Sequence, residues 1–229
     1  MAALEAIEWW SVAATALARA RRTGRRRGRE APIEPSAARG RVRSRDLEGL
    51  RRVAPDLPTL DEALAFCAER LPGVGLQLDL KRVGIEAATV EAVRRHGVLD
   101  RSWVSTFDAR SLHRLAELEP DLPRSYTLPR DRFGISKRGP LAPLVRGALS
   151  SIGSSLPRRL PVLLARAKAV AATLHYSIAS RAAIEAAHEL DAAVYVWTVD
   201  DPRVAERLVG DGVDGIITND PRIFTMFTA

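Results

Sequence analysis

From Asp46 to the C-terminus, short apolar or alternating stretches take turns with stretches of helical period. Gly75-Leu76-Gln77-Leu78-Asp79-Leu80-Lys81 alternates strictly. That period of two predicts a strand with the leucines on one face and Gln77, Asp79 and Lys81 on the other. Ahead of it, Pro58-Thr59-Leu60-Asp61-Glu62 reads as a helix start. Thr59 is placed to cap it, and Glu62, three residues on, completes a capping box. Leu60, Leu64 and Cys67 then fall on one helical face. Further helices are predicted over 85–96, 109–118, 181–190 and 202–209, with another near 141–149 inside a stretch, 129–160, punctuated by Pro, Gly and Ser. Further strands are predicted over 103–107, 124–128, 171–174, 194–199 and 215–218.

Six strands alternating with helices imply βα units and a parallel sheet. Such a set forms either an open doubly wound sheet or the last six strands of an eight-strand barrel, and periodicity does not choose. In a barrel, the leucines of 76–80 would face the helices. The row Gln77, Asp79, Lys81 would point inward, with its later members at the active end. The closing pair of apolar runs, Val194–Val199 and Gly215–Thr218, each stops in polar residues suited to a pocket rim.

Composition refines this picture in one region. The net charge of +7 comes from residues 19–52, which hold 13 arginines and four acids, a local +9 that leaves the remaining chain at −2. The folded part is therefore nearly neutral, and the basic character belongs to one segment. We divide the chain into an Ala/Arg-rich N-terminal segment, 1–45, expected to be disordered or degenerate, and a globular domain, 46–229. Residues 19–45 offer almost no apolar periodicity with which to offset their ordering entropy. The run from Arg19 to Arg29 offers charge to phosphates, but no aromatic residues interleave it, so a solvated tail is favoured over a nucleic-acid-binding element. The single cysteine, Cys67, excludes an internal disulfide framework and a multi-cysteine metal site. No apolar run is long enough to span a membrane. Glu5 and Glu8 precede any positive charge, unlike a signal peptide, so the expected compartment is cytoplasmic.

Five pieces of this sequence, in order, resemble the glycerophosphodiester phosphodiesterase family. Pro58-Thr59-Leu60-Asp61-Glu62 resembles its Pro-Thr-Leu-x-Glu segment, and Leu76–Lys81 its acid-x-Lys strand. Ser105-Thr106-Phe107-Asp108 resembles a Ser-Phe-Asp strand end. Val196-Trp197-Thr198-Val199-Asp200 and Gly212-Val213-Asp214-Gly215-Ile216-Ile217-Thr218 are similar to its closing signature. The resemblance covers about residues 46–224. It implies an incomplete (β/α)8 TIM barrel and hydrolysis of a glycerophosphodiester to an alcohol and glycerol 3-phosphate, assisted by a divalent metal, Mg²⁺ or Ca²⁺. By resemblance Asp79 takes the place of a metal-binding carboxylate, Lys81 that of a phosphate-binding lysine and Trp197 that of a pocket wall. The chemistry agrees with these types: hard cations take oxygen ligands, and a metal with a lysine offsets charge on phosphoryl oxygens.

The departures are as informative. The family opens with His-Arg-Gly, follows with Glu-Asn and Glu-x-Asp, and then places a His-Asp pair. None of the histidine motifs is present, and His96, His113, His175 and His188 lie downstream. Ala6-Ile7-Glu8-Trp9-Trp10 faintly resembles the Glu-x-Asp strand, with Glu8 as the first acid and Trp10 at the second. Catalytic residues are therefore not assigned, and the chain is expected to have impaired activity. A non-catalytic module that binds phosphate or a glycerophosphodiester is the leading alternative. His175, at a predicted strand end, is read as a structural histidine, and His113 as exposed.

Overall fold

The structure, a computed structural model, describes Glu48, Arg51, Arg52 and residues 55–129 and 142–227. The arginine run from Arg19 to Arg29, the 1–45 segment, Glu8, and the apolar turn expected at Leu47, Leu50 and Val53 lie outside these residues.

Helix α1 (Leu60–Arg70) begins as its residues predict. The Thr59 hydroxyl accepts from the Glu62 backbone N–H at 3.1 Å, and the Glu62 carboxylate accepts from the Thr59 N–H at 2.7 Å. Two orphan amides are thereby satisfied. Leu64 and Cys67 are buried, but Leu60 is exposed at 41%. It is the first residue of the helix, and the buried face starts one turn later at Leu64.

Strand β1 (Leu76–Leu80) is followed by α2 (Glu86–Arg95), β2 (Ser102–Thr106), α3 (Ala109–Leu118) and β3 (Arg124–Leu128). Then come α4 (Ala142–Ala167), β4 (Ala171–His175), α5 (Arg181–His188), β5 (Ala193–Trp197), α6 (Pro202–Gly210) and β6 (Gly215–Ile216). All five pairings are parallel, and the sheet order is β1-β2-β3-β4-β5-β6. A doubly wound sheet reverses its order at a switch point. An order that never reverses is the winding of a (β/α) barrel, so the alternative left open by periodicity is resolved: the described strands form an incomplete (β/α)8 barrel.

The sheet has one face per parity of residue. Leu76, Leu78, Leu80 and Val104 are buried with α1, α2 and α3 in one core. Ala172, Leu174, Val194 and Val196 are buried with α4, α5 and α6 in a second. The opposite parity turns inward. There Trp103 of β2 stacks on Tyr195 of β5, with centroids 4.4 Å apart. Contact between strands three places apart requires a strongly curled sheet, as a barrel has. Gly215 makes the curl possible beside Tyr195. A Cβ at Gly215 would lie 2.6 Å from the Tyr195 ring. The inner wall is otherwise small and polar: Gln77 Nε2 donates to Ser105 Oγ at 2.9 Å, and Ser125 and Thr173 share a hydroxyl bond at 2.6 Å.

Helix α4 departs from expectation. It runs continuously over 26 residues with Pro157 and Pro161 inside it. Proline removes the bond to the carbonyl four residues back, so the sequence predicts a shorter element. Leu156, Leu160 and Leu164 recur every fourth residue, and all three are buried in the second core. Three such side chains, at about 1.5–3 kcal/mol each, contribute on the same scale as the cost of two interior prolines, about 3 kcal/mol each.

Candidate functional site

Strand direction and register gather one set of side chains at the C-terminal ends of the strands. Asp79 and Lys81 leave β1 on its inner face and form an ion pair with each other. Their side chains are 37% and 56% exposed, so the pair lies at the mouth and not inside the barrel core. The Lys81 ammonium also sits 4.9 Å from the centroid of Phe107, which follows β2. Phe107 meets Trp197, the last residue of β5, edge-on at 5.8 Å. Trp197 meets His175, the last residue of β4, edge-on at 5.2 Å. Asp79, Lys81 and Trp197 are thus three members of one arc, joined through Phe107. Glu8 lies outside the described residues.

The arc is fixed from behind. Trp197 Nε1 donates to the Thr173 carbonyl at 3.2 Å, which sets the indole plane. His175 Nδ1 lies 2.7 Å from Ser177 Oγ, and the Ser177 N–H donates to the same nitrogen at 3.3 Å. Tyr176 stacks on the imidazole at 4.5 Å. Burial pushes the His175 imidazole below its ordinary value. Thr127 is buried on the inner face, and its hydroxyl has no hydrogen-bond partner among the described residues.

The loops after β5 and β6 are clamped together. The Asp200 carboxylate accepts from the Asn219 side-chain amide at 2.9 Å, the Asn219 N–H at 2.8 Å and the Thr218 hydroxyl at 3.0 Å. These bonds, the Asn219 amide first, hold its carboxyl below the usual range against opposition from burial and Asp220. Asp200 is therefore a structural tie of the rim.

The remaining histidines serve the scaffold. His96, at the end of α2, meets Asp61 at 3.0 Å. His188, ending α5, meets Asp214 at 2.9 Å, and Asp214 also accepts from the Val194 N–H. His113 is exposed on α3 and contacts the Arg166 carbonyl. Ser105, Thr106 and Asp108 form no nucleophile–base pair: Thr106 donates to the Leu80 carbonyl, and Asp108 caps α3. Sequence reasoning did not place Phe107 in the site and read His175 as structural. The alternation through Thr173 and His175, and the strand-end position of Phe107, were the available signals.

Asp79 is one carboxylate, and among the described residues no group of three or more His, Cys, Asp or Glu side chains converges on a common point. A hard cation takes six or more oxygen ligands. Waters and substrate oxygens can supply part of such a shell, and Asp79 is the carboxylate that the described mouth offers to it. No described helix is long and apolar enough to cross a membrane.

A parallel barrel with a lysine–aspartate pair and aromatic rings at its C-terminal strand ends is the class of protein that this architecture defines. The chain belongs to the Glycerophosphoryl diester phosphodiesterase family, whose profile matches residues 17–223. It is 24% identical over 169 residues to YhdW of Bacillus subtilis, a protein provisionally named a glycerophosphodiester phosphodiesterase, covering 72% of this chain and 59% of that one. A Silicibacter pomeroyi structure provisionally described as a glycerophosphoryl diester phosphodiesterase is 26% identical and superposes with a TM-score of 0.57, covering 80% of this chain and 63% of the other. An Oleispira antarctica phosphodiesterase, solved with its product sn-glycerol-3-phosphate, has a TM-score of 0.56 at 21% identity, covering 76% of this chain and 62% of its own. The chain thus spans about three fifths of the length of these relatives.

Proposed function

We propose that the mouth of this barrel binds the glycerol phosphate part of a glycerophosphodiester, and that the chain by itself hydrolyses the diester poorly or not at all. The observation that carries this reading is the arc Lys81–Phe107–Trp197–His175 at the C-terminal end of a barrel of this family. Lys81 supplies a point charge for the phosphate, and Trp197 an apolar wall for the glycerol carbons. The product seen in the Oleispira antarctica phosphodiesterase, sn-glycerol-3-phosphate, is the ligand class this mouth takes. The reaction class is hydrolysis to an alcohol and glycerol 3-phosphate.

The expectation of weak turnover follows from proton transfer. An alkoxide leaves a phosphodiester readily only if an acid protonates it, and water attacks readily only if a base takes its proton. Each such group contributes about 10²–10⁴-fold. The His-Arg-Gly and His-Asp motifs that supply them in the family are absent from the sequence. Divalent-metal assistance belongs to the proposal as well. Asp79 offers one oxygen ligand for Mg²⁺ or Ca²⁺, with waters and phosphate oxygens able to supply others and Glu8 as the further candidate that the sequence offers. A choline-release assay on glycerophosphocholine with Mg²⁺ or Ca²⁺ tests the reading. The expected result is release no faster than the buffer control; robust turnover abolished by Asp79→Ala would overturn it.

A further inference from the structure

His175 enters the mouth with a defined proton arrangement. It ends β4 on the inner face, two residues after Thr173, while Leu174 between them is buried in the core behind the sheet. The Ser177 backbone N–H can only donate, so the His175 Nδ1 that it contacts at 3.3 Å must accept. In the neutral imidazole the proton then sits on Nε2. Nε2 meets no acceptor among the described residues, since the hydrogen bonds of the ring both fall on Nδ1. The ring cannot turn freely to find one, because Tyr176 stacks on it and Trp197 meets it edge-on. Burial favours the neutral form of the ring at pH 7.

We infer that His175 is a phosphate-binding residue, whose Nε2–H donates a hydrogen bond to the phosphate of a ligand held at the same mouth as Lys81. The inference rests on the reading that this mouth takes glycerol phosphate. The ring contacts place the two groups at the ends of one aromatic floor: Lys81 is 4.9 Å from Phe107, Phe107 5.8 Å from Trp197, and Trp197 5.2 Å from His175. A phosphate accepts several hydrogen bonds at once, and a charged donor plus a directional neutral donor fix its orientation where the lysine alone would not. Thr127, which pairs in register with Thr173, carries a buried inner-face hydroxyl without a partner among the described residues. The assignment also says what His175 does not do. With Nδ1 committed to the Ser177 N–H, Nε2 has no free lone pair, so the ring does not stand in for the missing general base. His175 positions substrate, in keeping with binding without efficient turnover.

Two measurements on the full chain test this. Nitrogen-15 NMR of the histidine rings reads the tautomer without any substitution: the His175 Nε2–H resonance is expected in the free protein, and it should shift on titration with sn-glycerol 3-phosphate. Calorimetry should show binding weakened about tenfold or more by His175→Ala, roughly 1.4 kcal/mol or above. His175→Gln, which can offer an N–H at a similar reach, should recover part of the loss. Wild-type binding with an unmoved Nε2–H and an unchanged affinity in His175→Ala would overturn this inference and leave the proposed function standing. A wild-type protein that does not bind sn-glycerol 3-phosphate at all would remove both.

Discussion

Two residues show how the barrel interior and its rim are held in shape. Gly215 has the Tyr195 ring where its own side chain would be, only 2.6 Å from a built Cβ. Tyr195 in turn is stacked on Trp103 and has nowhere to retreat. Gly215→Ala should therefore destabilise the fold by about 1–3 kcal/mol, read as a lower urea midpoint, as overpacking does. Asp200 ties Asn219 and Thr218 to the loop after β5. Its folded-state carboxyl is held below its ordinary value of 3.8. The stability it adds is present above that unfolded-state value and is lost as the pH falls through the lower folded one. Asp200→Asn should lower the urea midpoint at pH 7, and the gap from wild type should close once the pH drops below the ordinary carboxylate range. A gap that persists unchanged in acid would show that the carboxylate charge is not what holds the rim.

At the scale of elements, the strands were legible because each writes its two faces in a period of two. Leu76, Leu78 and Leu80 could only face helices, and Gln77, Asp79 and Lys81 only the interior. The capping box at Thr59 was legible for a local reason, since its bonds close within four residues. Helix α4 was not legible as one piece. Pro157 and Pro161 argue locally for a break, and the opposing force, burial of Leu156, Leu160 and Leu164, is visible only once α4 is laid on β4 and α5. Leu160 is fully buried. Leu160→Ala should cost about 2–5 kcal/mol, and a loss below about 1 kcal/mol would mean that the helix is not held by this face. Leu60 is the converse case, an apolar residue in the right period that stays exposed at the first position of its helix.

At the scale of the molecule, the choice between an open sheet and a barrel lay outside the reach of periodicity, because strand order is a property of the assembled chain. Sequential pairing from β1 to β6 and the Trp103–Tyr195 contact across the interior decide it. The site was legible in part. Motif resemblance singled out Asp79, Lys81 and Trp197, and the structure brings these side chains to one mouth with Phe107 and His175. Phe107 was passed over and His175 read as structural because the meeting of residues from different strands is written nowhere in the order of the chain. The central claim is that this mouth binds glycerol phosphate through Lys81. Isothermal titration of the wild-type chain and Lys81→Ala with sn-glycerol 3-phosphate tests it most directly. Saturable wild-type binding, weakened about tenfold or more by Lys81→Ala, is the predicted result; no wild-type binding, or binding indifferent to Lys81, would contradict it.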